Sequence, residues 1–241
     1  MRCDRRFSIW QAIQLKAIVL CGGFGTRLGD LTRKTPKPIL PVAGKPFLEH
    51  VLDQIILAPI DEIILAVSFE WEKIKLVIGN SWRGVPVTYS IESQPLGTGG
   101  AIKLAMTSAQ IKEALVFNGD TLLKVNPDEL RVFSEKNHAD VGIALKVMDD
   151  CARYGSVSID ESNRIIEFSE KGNQKAGLIN SGVYYLRNSI LDQIKQNKFS
   201  FENEFLVPMS NRLIFYGMKT EAYFIDMGVP DDFYRAQMEL K

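Results

Sequence analysis

The sequence predicts an α/β fold: a Rossmann-like, mixed but mostly parallel sheet flanked by helices, with a smaller antiparallel part. Two observations lead there. Short apolar runs typical of buried strands alternate with segments in which apolar residues recur at helical spacing. A glycine-rich loop also follows the first apolar run, at the end of a strand where open α/β sheets bind ligands. The 241 residues show no internal repeat or linker, so we expect one domain over residues 16–241 after an amino-terminal extension over residues 1–15.

The first half of the chain is predicted to alternate strands and helices. Residues 47–57 carry apolar side chains at helical spacing and end before Pro59, which cannot continue a helix. Asn126 and Pro127 suit a helix start, as cap residue and first-turn proline, and Thr98 is predicted to cap the helix that ends near Ala109. We expect strands at residues 16–20, 62–67, 87–91, 114–118 and 140–147, and a short helix at residues 72–78.

The second half is predicted to begin with an antiparallel part laid on the first half. Strand-like segments joined by polar turns occur at residues 155–159, 164–169 and 178–186. The remaining predictions are helices at residues 189–196, 204–213 and 230–240, and a strand at residues 219–224.

Composition excludes several classes of protein. The chain has 29 basic and 29 acidic residues, so its formal net charge of zero disfavours a duplex nucleic-acid partner. Its three cysteines are odd in number and lack Cys-x-x-Cys spacing, which indicates reduced thiols in a cytoplasmic protein rather than disulfides or a zinc site. No apolar run reaches the ~18 residues of a membrane helix, and the first fifteen residues lack the apolar core of a signal peptide. No membrane partner is therefore expected.

The loop after the first strand is suited to a polyphosphate. Residues 20–28 read LCGGFGTRL, and Lys37 follows between two prolines. Glycines let backbone N–H groups approach phosphates, and Arg27 and Lys37 supply positive charge. A dinucleotide fingerprint would need a third glycine at Leu28, and no Gly-Lys-Ser/Thr string of a P-loop occurs.

Two aspartates make a candidate metal site. Asp120 and Asp226 each follow an apolar strand and lie next to a glycine. Either alone would suit a turn or cap, but a pair of carboxylates at strand ends is what a Mg²⁺ ion bridging phosphate oxygens requires. Asp231 and Asp232, at the start of the last helix, are more typical of residues that offset its dipole.

Three further segments end strands with polar or small residues. Glu170 and Lys171 lie in FSEKG, Asn180 begins NSG, and Gly155 ends RYG. An asparagine amide both donates and accepts hydrogen bonds, which suits sugar hydroxyls. Each segment alone is equally typical of a solvated turn or a strand end.

Taken together, the order and spacing of these motifs resemble the sugar-1-phosphate nucleotidyltransferases, over nearly all of the chain after residue 15. Segments at residues 46–48, 95–101, 118–121 and 225–230 are most similar to the branch that guanylylates D-glycero-α-D-manno-heptose 1-phosphate. Cys21, where alanine or glycine is common, and the amino-terminal extension depart from the pattern.

The resemblance implies roles for individual residues. Catalytic cations would be Arg27, Lys37 and Lys171. The nucleotide would contact Leu20, Gly22, Gly23, Gly25, Thr26, Gln94, Gly99 and Asp120, with Gln94 and Gly99 against base and ribose. The sugar phosphate would contact Gly119, Gly155, Glu170, Lys171 and Asn180. Mg²⁺ would be held by Asp120 and Asp226.

The implied reaction joins a nucleoside triphosphate and a sugar 1-phosphate to give nucleotide-sugar and pyrophosphate. A phosphate monoester is largely dianionic near neutral pH, so no general base is needed, and neither His50 nor His138 is assigned to catalysis. Three alternatives stay open: transfer of another nucleotide to a hexose or N-acetylmuramate 1-phosphate, a non-catalytic nucleotide-sugar-binding regulator, and a nicotinamide oxidoreductase. The sequence leaves the oligomeric state open, a homo-oligomer included.

Overall fold

The structure, a computed structural model, describes residues 15–23, 26–32, 35–169 and 176–240, and for residues 26, 27 and 30 only the backbone. Of the predicted amino-terminal extension it describes Leu15 alone, which is buried and donates its N–H to Asp61 Oδ2.

The described strands and helices follow the predicted alternation. The strands are β1 (Lys16–Leu20), β2 (Pro41–Val42), β3 (Lys45–Pro46), β4 (Glu62–Val67), β5 (Ser81–Trp82), β6 (Val85–Ile91), β7 (Glu113–Asn118), β8 (Thr121–Leu123), β9 (Val141–Met148), β10 (Ser156–Ile159), β11 (Ile165–Ser169), β12 (Gly177–Arg187), β13 (Phe215–Thr220) and β14 (Phe224–Asp226). The α-helices are α1 (Phe47–Ile55), α2 (Trp71–Ile78), α3 (Gly97–Ser108), α4 (Pro127–Lys136), α5 (Val207–Met209) and α6 (Pro230–Glu239). Short 3-10 segments lie at Thr26–Thr32, Lys37–Ile39 and Asn188–Gln193, and a π-helix at Phe201–Leu206.

A parallel group of strands forms the centre of the main sheet. Strand β1 pairs in parallel with β4 on one side and β7 on the other, and β6 continues the parallel pairing beyond β4. The register places Leu20 opposite both Ala66 and Asn118. These three strands therefore end at one edge of the sheet, which is where the predicted ligand loops lie.

The central strands are buried on both faces, which explains why they read as continuous apolar runs. In β1, Ala17 and Val19 belong to the apolar cluster that contains the buried side chains of α1, α2 and α6. Ile18 points the other way, into the cluster of α3 and the π-helix. This alternation follows from the two-residue period of a strand, and it confirms the predicted α/β class. None of the helices in the described part of the chain is long and apolar enough to cross a membrane.

The predicted antiparallel strands are present, and they extend this sheet edge to edge instead of lying on it. Strand β12 is 11 residues long. It pairs antiparallel with β7 through Val183–Arg187, with β10 at Ile179, and with β9 both before and after a break in register. One long strand thus joins the parallel and antiparallel strands into a single surface, with a bulge between Asn180 and Tyr184.

Several local predictions differ from the structure. The strand predicted at residues 219–224 is two strands, β13 and β14, because the chain turns between them, with Ala222 N donating to Thr220 Oγ1. The helix predicted at residues 189–196 is a 3-10 segment, and the one at 204–213 is replaced by the π-helix and α5. Thr98 does not cap α3, because its hydroxyl accepts a hydrogen bond from Phe201 N instead.

Close contact between β9 and α4 depends on Gly142. A Cβ added there would lie 1.9 Å from Ser134 Oγ and 2.9 Å from Ser134 Cβ. Ser134 is fully buried, and its hydroxyl donates to Leu130 O. The glycine therefore allows the helix to pack directly on the strand.

We expect Gly142→Ala to lower the free energy of unfolding by about 1–3 kcal/mol, the cost of overpacking a filled core. Ser134→Ala should recover part of this loss in the double mutant and have a small effect alone, because the two sites are in contact. Urea denaturation of the four proteins measures the coupling. Equal losses with and without Ser134→Ala would contradict the packing argument.

Candidate active site

A cleft of about 1010 Å³ opens at the carboxyl edge of the central strands. Its size suits a ligand of nucleotide dimensions. Six of the site residues predicted from the sequence line it, and they come from distant parts of the chain: Gly23, Lys37, Asp120, Gly155, Asn180 and Asp226. The structure therefore brings the predicted phosphate loop, the carboxylate pair and the predicted sugar side to one cavity.

Lys37 is a buried cation in this cleft. Its side chain is 9% exposed, and Nζ lies 2.6 Å from Asp120 Oδ2. The prolines on either side fix the backbone, and Lys37 begins the 3-10 segment that delivers the side chain inward. A buried ammonium needs a charged partner, and Asp120 supplies it. The pair places one positive charge beside the cleft with little conformational freedom.

Asp120 and Asp226 converge, although 106 residues separate them by their numbers. Strands β8 and β14 pair antiparallel with Asp226 opposite Thr121, and Met227 N donates to Asp120 O over 2.9 Å. Asp226 Oδ1 also accepts a hydrogen bond from Gly228 N over 2.7 Å. Backbone pairing, rather than a contact of the side chains, fixes the distance between the two carboxylates.

The two carboxylates are close enough to influence each other. Burial, and after it the charge of Asp120, raises the pKa of Asp226, while Lys37 acts in the opposite direction. Two neighbouring acids repel when both are ionised. A cation bound between them would relieve that repulsion, so the local charges favour cation binding.

The donor set fits a divalent cation that binds mainly through its other ligands. Among the residues that the structure describes, no group of three or more His, Cys, Asp or Glu side chains could hold a metal. Magnesium-like ions need only one or two protein carboxylates and complete their shell with water and phosphate oxygens. Asp120 and Asp226 meet that requirement, whereas a site closed by protein ligands alone is not present in the described chain.

The glycines that follow β1 and β7 serve two purposes. Gly23 is exposed and lines the cleft, with open space where a Cβ would be. Gly119 is buried, donates its N–H to Leu20 O, and has no room for a Cβ, which would lie 2.6 Å from that oxygen. Gly22 is similarly crowded, by Glu92 Oε1 at 2.9 Å. Gly23 can thus meet a ligand directly, while Gly22 and Gly119 allow the strand ends to pack.

Cys21, the departure from the family pattern, lies in this packed floor. It is buried, and burial raises the pKa of its thiol, with the charge of Asp120 adding to the effect. The thiol therefore stays protonated and acts as a small apolar side chain.

The second glycine loop lies beside the cleft. Gln94 is exposed, and neither Gln94 nor Gly99 lines the cavity. Gly99 is buried with its Cα against the ring of Phe199, and its N–H donates to Phe199 O. Helix packing therefore accounts for the glycine, and the predicted contacts with base and ribose stay predictions.

On the opposite side, Asn180 is held in one orientation. Its Nδ2 donates to Tyr184 Oη over 3.0 Å, and its Oδ1 accepts from Gly182 N over 3.0 Å. One amide hydrogen and one lone pair stay available toward the cleft. At Gly155, a Cβ would lie 2.8 Å from Ser169 O, so this glycine also allows two strands to approach.

Five of the predicted site residues have no described side-chain geometry. Gly25, Glu170 and Lys171 lie outside the described residues. Arg27 is described by its backbone alone, as is Thr26, at the start of the 3-10 segment Thr26–Thr32. Their predicted roles are therefore carried forward as part of the proposal below.

Sequence reasoning missed the wall formed by Thr98, Tyr184 and Glu202, all of which line the cleft. Tyr184 lies inside an apolar strand, and Glu202 lies two residues after a serine in an ordinary helix-start pattern. No spacing along the chain links these three residues, because the wall forms only when the π-helix folds against β12 and α3.

Asp232 lies in the first turn of α6, as predicted, and has an additional role that was not predicted. It is buried, and its Oδ2 accepts a 2.6 Å hydrogen bond from Arg153 Nη2. This ion pair ties the loop before Gly155 to α6, close to Asp226.

Comparison with known proteins agrees with this geometry. A sequence model of the family described as nucleotidyl transferase matches residues 16–241. The D-glycero-alpha-D-manno-heptose 1-phosphate guanylyltransferase of Campylobacter jejuni is 43% identical over 221 residues, which are 91% of this chain and 97% of the relative. The enzyme of the same name from Aneurinibacillus thermoaerophilus is 41% identical over 231 residues, 94% and 99% of the two chains.

A solved structure is similar over the same extent. The crystal structure of HddC from Yersinia pseudotuberculosis complexed with GMP-PN has a TM-score of 0.82 and 36% identity, with 94% of this chain and 99% of that chain covered.

The proximity of Asp120 and Asp226 predicts that the carboxylates suited to a metal ion lower the stability of the metal-free protein. Because the pKa of Asp226 is raised in the folded protein, its ionisation destabilises the fold as the pH rises through that pKa. Asp226→Asn should therefore raise Tm at pH 7 in metal-free buffer, and the gain should vanish as the pH falls toward about 4. Thermal unfolding across this pH range measures it, with the exposed Asp149→Asn as control. A lower Tm for Asp226→Asn at pH 7 would contradict the argument.

Proposed function

The chain belongs to the nucleotidyl transferase family, and on that premise we propose that it joins GTP to D-glycero-α-D-manno-heptose 1-phosphate, giving GDP-heptose and pyrophosphate. The observation that carries the proposal is identity of 41–43% to two guanylyltransferases of that name, over nine-tenths or more of each chain. The cleft, with its buried cation and carboxylate pair, supports the same chemistry.

The reaction is a transfer between two anions. A phosphate oxygen of the sugar 1-phosphate forms a bond to the α-phosphorus of GTP, and the bond from that phosphorus to the bridging oxygen of the β-phosphate breaks, releasing pyrophosphate. The protein must therefore hold the reactants in line and neutralise their charge. No described group has to remove a proton.

We assign the charge-neutralising roles to three cationic residues and a bound metal ion. Lys37 stabilises the triphosphate together with Arg27, and Lys171 binds the sugar phosphate. Asp120 and Asp226 hold Mg²⁺, which supplies positive charge to phosphate oxygens when bound. Lys37 also forms the 2.6 Å ion pair with Asp120, and Asp226 is oriented by Gly228 N.

The remaining predicted residues divide between the substrates. Gln94 and Gly99 contact the base and ribose, and the first loop contacts the phosphates through Leu20, Gly22, Gly23, Gly25 and Thr26. The sugar phosphate contacts Gly119, Gly155, Glu170 and Asn180. The orientation of Asn180, fixed at both ends of its amide, supports its role toward a sugar hydroxyl.

An assay matrix tests the proposed substrates. Pyrophosphate release would be measured for GTP, ATP, CTP, UTP and dTTP against the 1-phosphates of the heptose, mannose, glucose and N-acetylmuramate, with Mg²⁺ and with excess chelator. The expected result is the highest kcat/KM for GTP with the manno-heptose 1-phosphate, and loss of activity with chelator. Preference for another nucleotide or a gluco-configured sugar would refute the assignment, and absence of pyrophosphate release in every combination would favour a binding protein.

Removal of a cation should slow the reaction strongly. We expect Lys37→Met, Arg27→Ala and Lys171→Ala each to lower kcat/KM by about 10²-fold or more, as found when a group that stabilises a transition state is removed. Steady-state kinetics measures the loss, and Lys112→Met, at an exposed lysine, is the control. Near-normal rates for Lys37→Met would remove Lys37 from the proposed site.

A further inference from the structure

A third carboxylate lines the cleft in addition to the proposed metal pair, and nothing in the mechanism above uses it. Glu202 is half-buried and lines the cleft together with Tyr184 and Thr98. It lies in the first turn of the π-helix, a conformation that occurs often at functional sites. Ser200 caps this helix, because its hydroxyl accepts from Asn203 N. The cap fixes the direction in which Glu202 leaves the backbone.

The neighbouring acid on the same helix is used differently. Glu204 is exposed, and its Oε2 accepts a 2.6 Å hydrogen bond from Ser200 N, completing the cap. Glu204 is not among the residues that line the cleft. The two glutamates, two residues apart, thus separate into a structural one and one that faces the cavity.

The two carboxylate oxygens of Glu202 are unequally occupied. Oε2 accepts from Thr98 Oγ1 over 2.8 Å and from Ser200 Oγ over 3.3 Å. Oε1 has a single described contact, a long one of 3.5 Å with Tyr184 Oη. A carboxylate can accept about four hydrogen bonds, so Oε1 has unused capacity on the side that meets the cavity.

Charge narrows what Glu202 could bind. Among the described residues, no cationic side chain forms an ion pair with Glu202. A carboxylate without a cation repels phosphate, and it binds neutral hydroxyl groups well because charged acceptors form the stronger hydrogen bonds. The part of a sugar 1-phosphate that suits Glu202 is therefore its polyol, not its phosphate.

Tyr184 connects Glu202 to the predicted sugar-binding residue Asn180. Tyr184 is fully buried, and its hydroxyl accepts from Asn180 Nδ2 over 3.0 Å. Its own proton is then directed to Glu202. Burial and the charge of Glu202 raise the pKa of Tyr184, so that this proton stays in place. Asn180 and Glu202 are thereby fixed on one wall, a short distance apart.

We propose that Glu202 accepts a hydrogen bond from one hydroxyl group of the sugar 1-phosphate, through Oε1, and thereby determines which sugar the enzyme accepts. The inference rests on the proposed function and adds a specificity-determining residue to it. Asn180 and Glu202 would both bind hydroxyl groups of the same sugar. Asn180 would do so through its amide and Glu202 through its charged carboxylate.

The experiment combines a variant with substrates that lack single hydroxyls. Glu202→Gln keeps the size of the side chain and its bond to Thr98 but removes the charge, and Glu204→Gln makes the same change outside the cleft. Each protein would be assayed with GTP and manno-configured sugar 1-phosphate, and with its 2-, 3-, 4- and 6-deoxy analogues. Values of KM for the sugar and for GTP are measured separately.

We expect Glu202→Gln to raise KM for the sugar about tenfold or more, the range for loss of a hydrogen bond to a charged group, with KM for GTP changed less than about twofold. One deoxy analogue should show the same loss with the unmodified enzyme and no further loss with Glu202→Gln. Glu204→Gln should match the unmodified enzyme throughout.

Three results would overturn the inference. They are an unchanged sugar KM in Glu202→Gln, equal penalties for every deoxy analogue with both proteins, and a parallel rise in KM for GTP, which would indicate a structural role through Thr98. If circular dichroism shows that Glu202→Gln is unfolded, Glu202→Asp replaces it, since a shorter side chain must weaken the same hydroxyl contact. No turnover by the unmodified enzyme with any sugar 1-phosphate would refute the proposed function itself, whereas normal turnover with an unaffected variant refutes this inference alone.

Discussion

The ion pair between Lys37 and Asp120 is the interaction on which the site depends. The side chain of Lys37 is buried, and its Nζ lies 2.6 Å from Asp120 Oδ2. Removing one partner of such a pair leaves an uncompensated buried charge, which destabilises the fold. Burial raises the pKa of Asp226, the nearby charge of Asp120 raises it further, and Lys37 acts in the opposite direction. One cation thus balances two acids only in part. The remaining negative charge suits a divalent ion that arrives with a polyphosphate.

This balance is maintained by the backbone around it. Strands β8 and β14 pair so that Asp226 lies opposite Thr121, and Gly119 allows the chain after β7 to contact Leu20 O, where a Cβ would be 2.6 Å away. The prolines on either side of Lys37 restrict the backbone there, because the ring of proline fixes its φ angle. Rigid backbone therefore keeps like charges together, as active sites commonly do at some cost in stability.

How much could be predicted from the sequence depends on how far apart along the chain the interacting residues lie. The bounds of β4 agree with prediction because a strand buried on both faces is a plain apolar run. The strand expected at residues 219–224 was wrong because the turn after Thr220 interrupts an otherwise suitable pattern. The ion pair of Asp232 was not predicted because its partner, Arg153, is 79 residues away along the chain. Motif order and spacing located the acids, but the wall containing Glu202 depends on contacts that no local pattern encodes.

Thr98 shows how the two substrate sides are linked. It belongs to the glycine loop proposed to meet the nucleotide, yet its hydroxyl donates to Glu202 and accepts from Phe201 N. Through Glu202 the connection continues to Tyr184 and Asn180, on the side that we propose for the sugar. Each hydrogen bond in this series fixes the donor or acceptor direction of the next. In-line transfer requires the two reactants to be held in a fixed position relative to each other. A polar network that reaches both proposed substrate sides can fix that relative position, and it does so without the charged groups that neutralise the phosphates.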